Sequence, residues 1–225
     1  MPTLLITGAN RGLGLEFTKQ YLADGWRVHA CCRHPDKAKE LKALEGVQVH
    51  RLDVTDALQC ANTTRELREE PIDLLINNAG IYGPRSGLEK QDYDAWKEVL
   101  EINLLGPMRV VEKFLPQLEQ AEAPVIVNLS SRLGSIASNE GGGSYPYRTS
   151  KAALNMVTKN LAVDLAEKGI TVVSVHPGWV QTDMGGESAS ITPEVSASGL
   201  RKVIAGLTPE MTGRFFGYDG KELPW

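Results

Sequence analysis

The chain has 225 residues, 24 of them lysine or arginine and 28 aspartate or glutamate, for a formal net charge of -4. That length suits one α/β domain with a buried sheet and is short for two, so a single domain over residues 1–225 is expected. The basic residues are dispersed and no run reaches about 18 apolar residues, which argues against nucleic acid and membrane as partners.

The opening MPTLLITG enters an apolar strand, TLLIT, with no charged segment or small-residue cleavage site ahead of it, so a cytoplasmic protein is expected. A helix follows from about Leu13 to Ala23, then strand RVHACC and a helix after Pro35, then strand VQVHRL and a helix from about Asp56. IDLLIN reads as a fourth strand, with helical segments from about Tyr93 to Gln120. VIVNLS is a fifth strand, followed by a helix from about Tyr147 to Glu167; TVVSVHP is a sixth, and RFFGY a last short one. Strands apolar on both faces, each followed by a helix, imply a doubly wound parallel sheet in three α/β/α layers. Two connections are long and rich in Gly and Ser, SNEGGGSYP and GGESASITPEVSASG, and both lie at carboxyl ends of strands, where such sheets bind ligands.

Cys31, Cys32 and Cys60 have no CxxC spacing and form neither a disulfide framework nor a zinc site. In an extended strand Cys31 and Cys32 point to opposite faces and simply pack there. His29, His34, His50 and His176 are scattered, so no metal site is expected.

Directly after the first strand, TGANRGLG places Gly8, Gly12 and Gly14 where the chain must turn tightly and open a helix. Missing side chains let a pyrophosphate approach the free N–H groups of that helix end. At the end of the second strand an acid would accept a ribose 2′-hydroxyl, whereas an arginine would meet a 2′-phosphate. Arg33 stands there, with Arg11 just before Gly12, and Asp36 is the rival, placed after Pro35 where acids favour a helix start. NADP is therefore expected over NAD. Tyr147 and Lys151 lie four residues apart and share one helix face, since a helix advances about 100° per residue. Tyr145 is rotated off that face, and of Ser130 and Ser131 only one faces a cleft easily.

Together these features resemble the short-chain dehydrogenase/reductase family: the glycine turn TGANRGLG, NNAG at Asn77–Gly80, Asn103 in EINLLGP, Ser131, YxxxK at Tyr147 and Lys151, and Pro177–Gly178. Within the family, YRTSKAALN, HPGWVQTDMGG and YDGKELPW look like the C-factor and sniffer-like carbonyl reductases. The resemblance implies a Rossmann-type fold and a catalytic set of Asn103, Ser131, Tyr147 and Lys151. It puts Asp53 on the adenine, Asn78 on the adenosine side, and Val180 with Thr182 on the nicotinamide carboxamide. Asn10 and Leu13 of the turn, Val54, Ala79, Gly80, Pro177 and Gly178 complete the expected cofactor contacts. Lys151 also binds the nicotinamide ribose, and Asn103 holds a water that links the lysine to solvent. A homodimer or homotetramer is expected by resemblance alone.

Reducing a carbonyl by hydride transfer requires a proton donor, for which Tyr147 serves, and a hydrogen bond to the oxygen, for which Ser131 serves. Ionising an unperturbed phenol at pH 7 costs roughly 4 kcal/mol. A neighbouring lysine lowers a phenol by about 1 to 3 units, and reduction, which starts from the neutral phenol, asks for less. Trp179 and Met184, ahead of a substrate loop at about 184–200 and a helix start at Thr192–Pro193, suit an apolar aldehyde, ketone or quinone. Two rivals stand beside an NADPH-dependent carbonyl reductase. One is a dinucleotide-binding signalling protein, which has no need of Ser131, Tyr147 and Lys151 together. The other is a nucleotide-sugar epimerase, whose larger substrate domain the chain is too short to supply.

Overall fold

A strand apolar on both faces needs cover on both, and the chain supplies it. Among the residues described in the computed structural model, 1–85 and 87–225, seven strands form one parallel sheet: β1 (Thr3–Thr7), β2 (Arg27–Cys32), β3 (Val47–Arg51), β4 (Leu74–Asn77), β5 (Val125–Leu129), β6 (Thr171–His176) and β7 (Phe215–Gly217). Seven α-helices accompany them: α1 (Gly12–Ala23), α2 (Lys39–Lys42), α3 (Ala57–Glu66), α4 (Tyr93–Leu100), α5 (Gly106–Leu118), α6 (Tyr145–Asp164) and α7 (Pro193–Ala205). The strand order is β3-β2-β1-β4-β5-β6-β7, so the winding direction reverses between β1 and β4. This is the doubly wound Rossmann-like sheet. None of the described helices is long and apolar enough to cross a membrane, and no group of three metal-ligating side chains occurs among the described residues.

Strand alternation sorts the core into two layers. Leu4, Ile6 and Cys32 face one side, where Phe17 of α1, Leu41 of α2 and Leu200 of α7 pack. Leu5 and Cys31 face the other, against Cys60 of α3, Phe114 of α5 and Leu161 of α6. Adjacent Cys31 and Cys32 therefore point apart, as the extended strand requires.

The helix ends follow their local chemistry. Asp56 caps α3 by accepting from the N–H groups of Leu58 and Gln59, and Thr192 caps α7 by accepting from Val195, with Pro193 in the first turn. Four expectations shift. The helix after Pro35 is a 3₁₀ turn, Pro35–Lys37, and the single turn of α2. The segment from Tyr93 onward is interrupted by a π-helical stretch, Glu101–Leu105, before α5. Pro107 has no N–H to return to the Asn103 carbonyl, so a regular turn is lost there. Helix α6 starts at Tyr145, with Ser144 ahead of it in the left-handed region, and ends at Asp164. The stretch foreseen as a loop at about 184–200 is non-helical only as far as Thr192.

A buried polar relay seats α6 on the sheet. Asn77 Nδ2 of β4 donates to Asn128 Oδ1 of β5 at 2.9 Å, Asn128 Nδ2 donates to Thr158 Oγ1 of α6 at 2.9 Å, and that hydroxyl meets Ser174 Oγ of β6 at 2.9 Å. Replacing the hydroxyl with a methyl strands two buried partners at a cost of about 1–3 kcal/mol for each. Thr158→Val is thus expected to lower the urea midpoint with the slope unchanged; an unaltered midpoint would show that the relay adds nothing to stability.

Candidate active site

A cleft of about 800 Å³ opens at the carboxyl ends of β1, β4, β5 and β6, where the winding reverses. Each side chain expected at the cofactor or the reacting carbonyl lines it except Asn103, which lies behind the wall.

The glycine turn forms the floor at one end. A Cβ on Gly14 would sit 2.3 Å from the Gly8 carbonyl oxygen and 2.5 Å from Asn78 Nδ2, so α1 can press onto the turn only without a side chain. Asn78 Nδ2 donates to the carbonyls of Thr7 and Gly8, and Thr7 Oγ1 accepts from the N–H groups of Asn78 and Ala79. The ends of β1 and β4 are thereby tied together. No side chain caps the start of α1 and no acid stands in its first turn, so its amide end is left to an anion. Arg33 lines the cleft beyond the end of β2, with Lys37 from the following turn. Asp36 does not compete with them, because its carboxylate accepts from Arg51 Nη2 at 2.9 Å. Arg11 lines the cleft but donates to Asp183 at 3.0 Å, across toward the loop after β6. Asp53 uses Oδ1 to hold the N–H and hydroxyl of Thr55, which shapes the turn after β3. This surface, bare at the glycines and cationic at one rim, fits a dinucleotide.

At the other end Tyr147, Lys151 and Ser131 converge. The Ser131 hydroxyl faces the Tyr147 phenol closely enough to favour its ionised form, and it accepts from the Leu133 N–H at 3.2 Å. Ser130 is spent elsewhere, donating to Asn155 Oδ1 at 2.6 Å. Lys151 Nζ donates to the Leu129 carbonyl at 2.7 Å and lies 5.7 Å from the centre of the Tyr147 ring. Asn103 is the one expected residue that does not line the cleft. Its fully buried amide accepts from the Ile81 N–H and donates to the Ile81 carbonyl, each at 2.8 Å, and donates to Ser150 Oγ at 3.0 Å. The side chain thereby anchors the segment after β4. Tyr145 packs near Trp96, with ring centres 6.2 Å apart, and does not line the cleft.

Burial dominates the electrostatics. It pushes the Tyr147 phenol up to about 12; Ser131 opposes the rise and Tyr82 adds to it. Burial acts on the neighbouring ammonium in the opposite direction and pushes Lys151 down to about 8. His176, also in the cleft wall, is pushed down to about 4 by burial, with Arg132 adding to the effect, and is neutral at pH 7.

Residues 2–191 match the family model described as short chain dehydrogenase. The chain belongs to the short-chain dehydrogenase family. It is 48% identical to the C-signal of Myxococcus xanthus over 155 residues, which cover 69% of this chain and 93% of that protein. The NADPH-bound carbonyl reductase from chicken fatty liver superposes with a TM-score of 0.93 at 35% identity, covering 100% of this chain and 99% of that one. The carbonyl reductase Sniffer of D. melanogaster gives 0.94 at 34% identity with both chains fully covered. The chain is thus a short-chain dehydrogenase of the C-factor and Sniffer-like branch, and an oxidoreductase by that membership.

Beyond the motifs that mark a short-chain dehydrogenase, the unforeseen side chains that the fold brings to the cleft include Lys37, Tyr82 and Arg85. Lys37 joins Arg33 because the turn after Pro35 is short. Tyr82 stacks on Tyr147, with ring centres 4.4 Å apart, and Arg85 lies 4.6 Å above the Tyr82 ring. The position of Tyr82, two residues past NNAG, was the available signal. Trp179, 54% exposed, stands in the cleft wall with Nε1 donating to the Gly185 carbonyl.

The depressed lysine has a stability consequence. Below pH 8 the folded and unfolded chains both carry the proton, and the penalty of a buried ammonium is complete. Between pH 8 and the ordinary value of about 10.4 the unfolded chain holds more protons, so this residue's contribution to stability rises with pH. Lys151→Met is expected to raise the Tm at pH 7 by about 2–4 °C for each kcal/mol of penalty removed, with the gain shrinking toward pH 10 in calorimetry. A lower Tm at pH 7 would show that the bond to Leu129 outweighs burial.

Proposed function

We propose that the protein is an NADPH-dependent carbonyl reductase acting on an aldehyde, ketone or quinone. The observation that carries the reading is the Tyr147 phenol, buried in the cleft lining beside Ser131 and Lys151 and kept protonated there. The reduced nicotinamide, when bound, supplies the hydride. Ser131 and Tyr147 donate to the carbonyl oxygen and orient it, and Tyr147 gives its proton to that oxygen as the alkoxide forms. Lys151 carries positive charge near the phenol at pH 7 and stabilises the phenolate left behind. The raised phenol is protonated at pH 7, the form that reduction requires. Trp179, Met184 and Tyr82 give the substrate end an apolar wall.

Arg33 and Lys37 on one rim, with Asp36 drawn to Arg51, support NADP over NAD, since a 2′-phosphate needs cations where a 2′-hydroxyl needs an acid. Gly8, Gly12 and Gly14 receive the pyrophosphate, and Pro177, Gly178, Val180 and Thr182 border the nicotinamide end. The identity to the C-signal favours a second reading, a dinucleotide-binding signalling protein. The intact set of Ser131, Tyr147 and Lys151 in the cleft favours the enzyme.

NADPH absorbance followed with a panel of aldehydes and quinones tests the reading. Wild type is expected to oxidise NADPH, and Tyr147→Phe to lose turnover on the order of a hundred- to ten-thousandfold; full activity in that variant removes the assigned acid, and NADPH binding without any turnover favours the signalling protein. Arg33→Asp is expected to raise the KM for NADPH by about ten- to a hundredfold through loss of a charge-assisted bond, with the KM for NADH unchanged or lower. An unchanged KM for NADPH would remove Arg33 from the 2′-phosphate.

A further inference from the structure

Tyr147 sits in a layered stack with a specific construction. The Tyr82 ring lies nearly parallel to it, tilted by 14°, and Arg85 Cζ lies 4.6 Å from the centre of the Tyr82 ring. The Tyr82 hydroxyl is pinned by Ser144 Oγ at 3.0 Å. Ser144 has φ of +44°, the one non-glycine residue at positive φ among the described residues, and stands directly ahead of α6. A serine held in the left-handed region costs free energy that a glycine there would avoid, and such strain persists where the surroundings enforce it. Arg85 Nη2 donates to the Met184 carbonyl at 3.1 Å, so the stack also joins the segments after β4 and β6. Asn103 fixes the base of the first segment through Ile81, next to Tyr82.

We infer that Tyr82 is a positioning residue for the acid Tyr147: pinned by the strained Ser144 and covered by Arg85, it holds the phenol ring and keeps water from one of its faces. The inference rests on the carbonyl-reductase reading only for its kinetic consequence. The ring is otherwise met by the Ser131 hydroxyl from the segment after β5 and by Lys151 on α6, and the Arg85 guanidinium is the next charge, behind Tyr82. The Tyr82 ring displaces water, so its removal rehydrates the phenol and lets it ionise at lower pH.

Tyr82→Ala, Tyr82→Phe and Ser144→Gly test this without cofactor or substrate, through the ¹³Cζ-tyrosine NMR signal of Tyr147, identified by its loss in Tyr147→Phe. In wild type that signal is expected to stay at the neutral-phenol position up to about pH 10.5, and in Tyr82→Ala to move below that pH toward an ordinary phenol titration. Tyr82→Phe, which keeps the ring and loses the bond to Ser144, is expected to keep the signal at the neutral-phenol position up to about pH 10.5 and to share the lower kcat of Ser144→Gly. Turnover of Tyr82→Ala falls about tenfold, the size of a lost aromatic stack, in kcat and not in the KM for NADPH. Ser144→Gly provides a second route should Tyr82→Ala not fold: it is expected to raise the Tm, through relief of strain, while lowering kcat, a combination that a purely structural residue does not give. A Tyr147 signal unmoved in Tyr82→Ala, or an unchanged kcat in Ser144→Gly, overturns the inference. If wild type reduces no carbonyl, the reductase reading fails, and the NMR titration still decides the role of Tyr82.

Discussion

The seating of α6 on the sheet governs the rest of the site, and hydrogen bonds set it. The buried face of this helix includes Ser150, Lys151, Asn155 and Thr158, all polar. Each has a defined partner: Asn103 for Ser150, the Leu129 carbonyl for Lys151, Ser130 for Asn155, and Asn128 with Ser174 for Thr158. Apolar packing is non-directional and tolerates a helix sliding or rotating by a fraction of a turn. A buried donor separated from its acceptor loses the bond and keeps the desolvation cost, so the polar face admits one register. That register delivers Tyr147 to Ser131.

The same burial that allows this precision of placement dictates the charge states. Removing a phenol and an ammonium from water disfavours both ions, raising one group and lowering the other. With burial dominant, the cleft holds a neutral phenol beside a lysine whose charge is only weakly favoured. The cofactor end solves a different problem, close approach of an anion to backbone. It is met by omission of side chains at Gly8 and Gly14 and by the Asn78 amide, which braces the turn from the neighbouring strand.

Side chains that stand near one another in sequence are separated by these constraints. Ser130 and Ser131 alternate across a strand end, one bonded to Asn155 and the other facing the phenol. Arg33 and Asp36 part because Arg51 of β3 captures the carboxylate, which leaves the cleft rim cationic. Conversely, Tyr82 and Ser144, 62 residues apart, meet because the segments after β4 and β5 end over the same cleft.

Much of this protein was legible in the chain itself. Alternating apolar runs marked the strands, Asp56 and Thr192 marked helix starts, and the adjacency of Cys31 and Cys32 implied two core layers; each of these depends on neighbours within a turn or a pleat. The glycine turn, NNAG, Ser131 and YxxxK identified the family and the side chains at its cleft. Tertiary structure alone decided that Tyr82 covers Tyr147, that Lys37 joins the rim, that the Asn103 amide braces Ile81, and that the phenol is raised. Stacking, capture of a carboxylate and desolvation depend on which distant segments close over a group and how much water they remove, and local spacing carries no record of that.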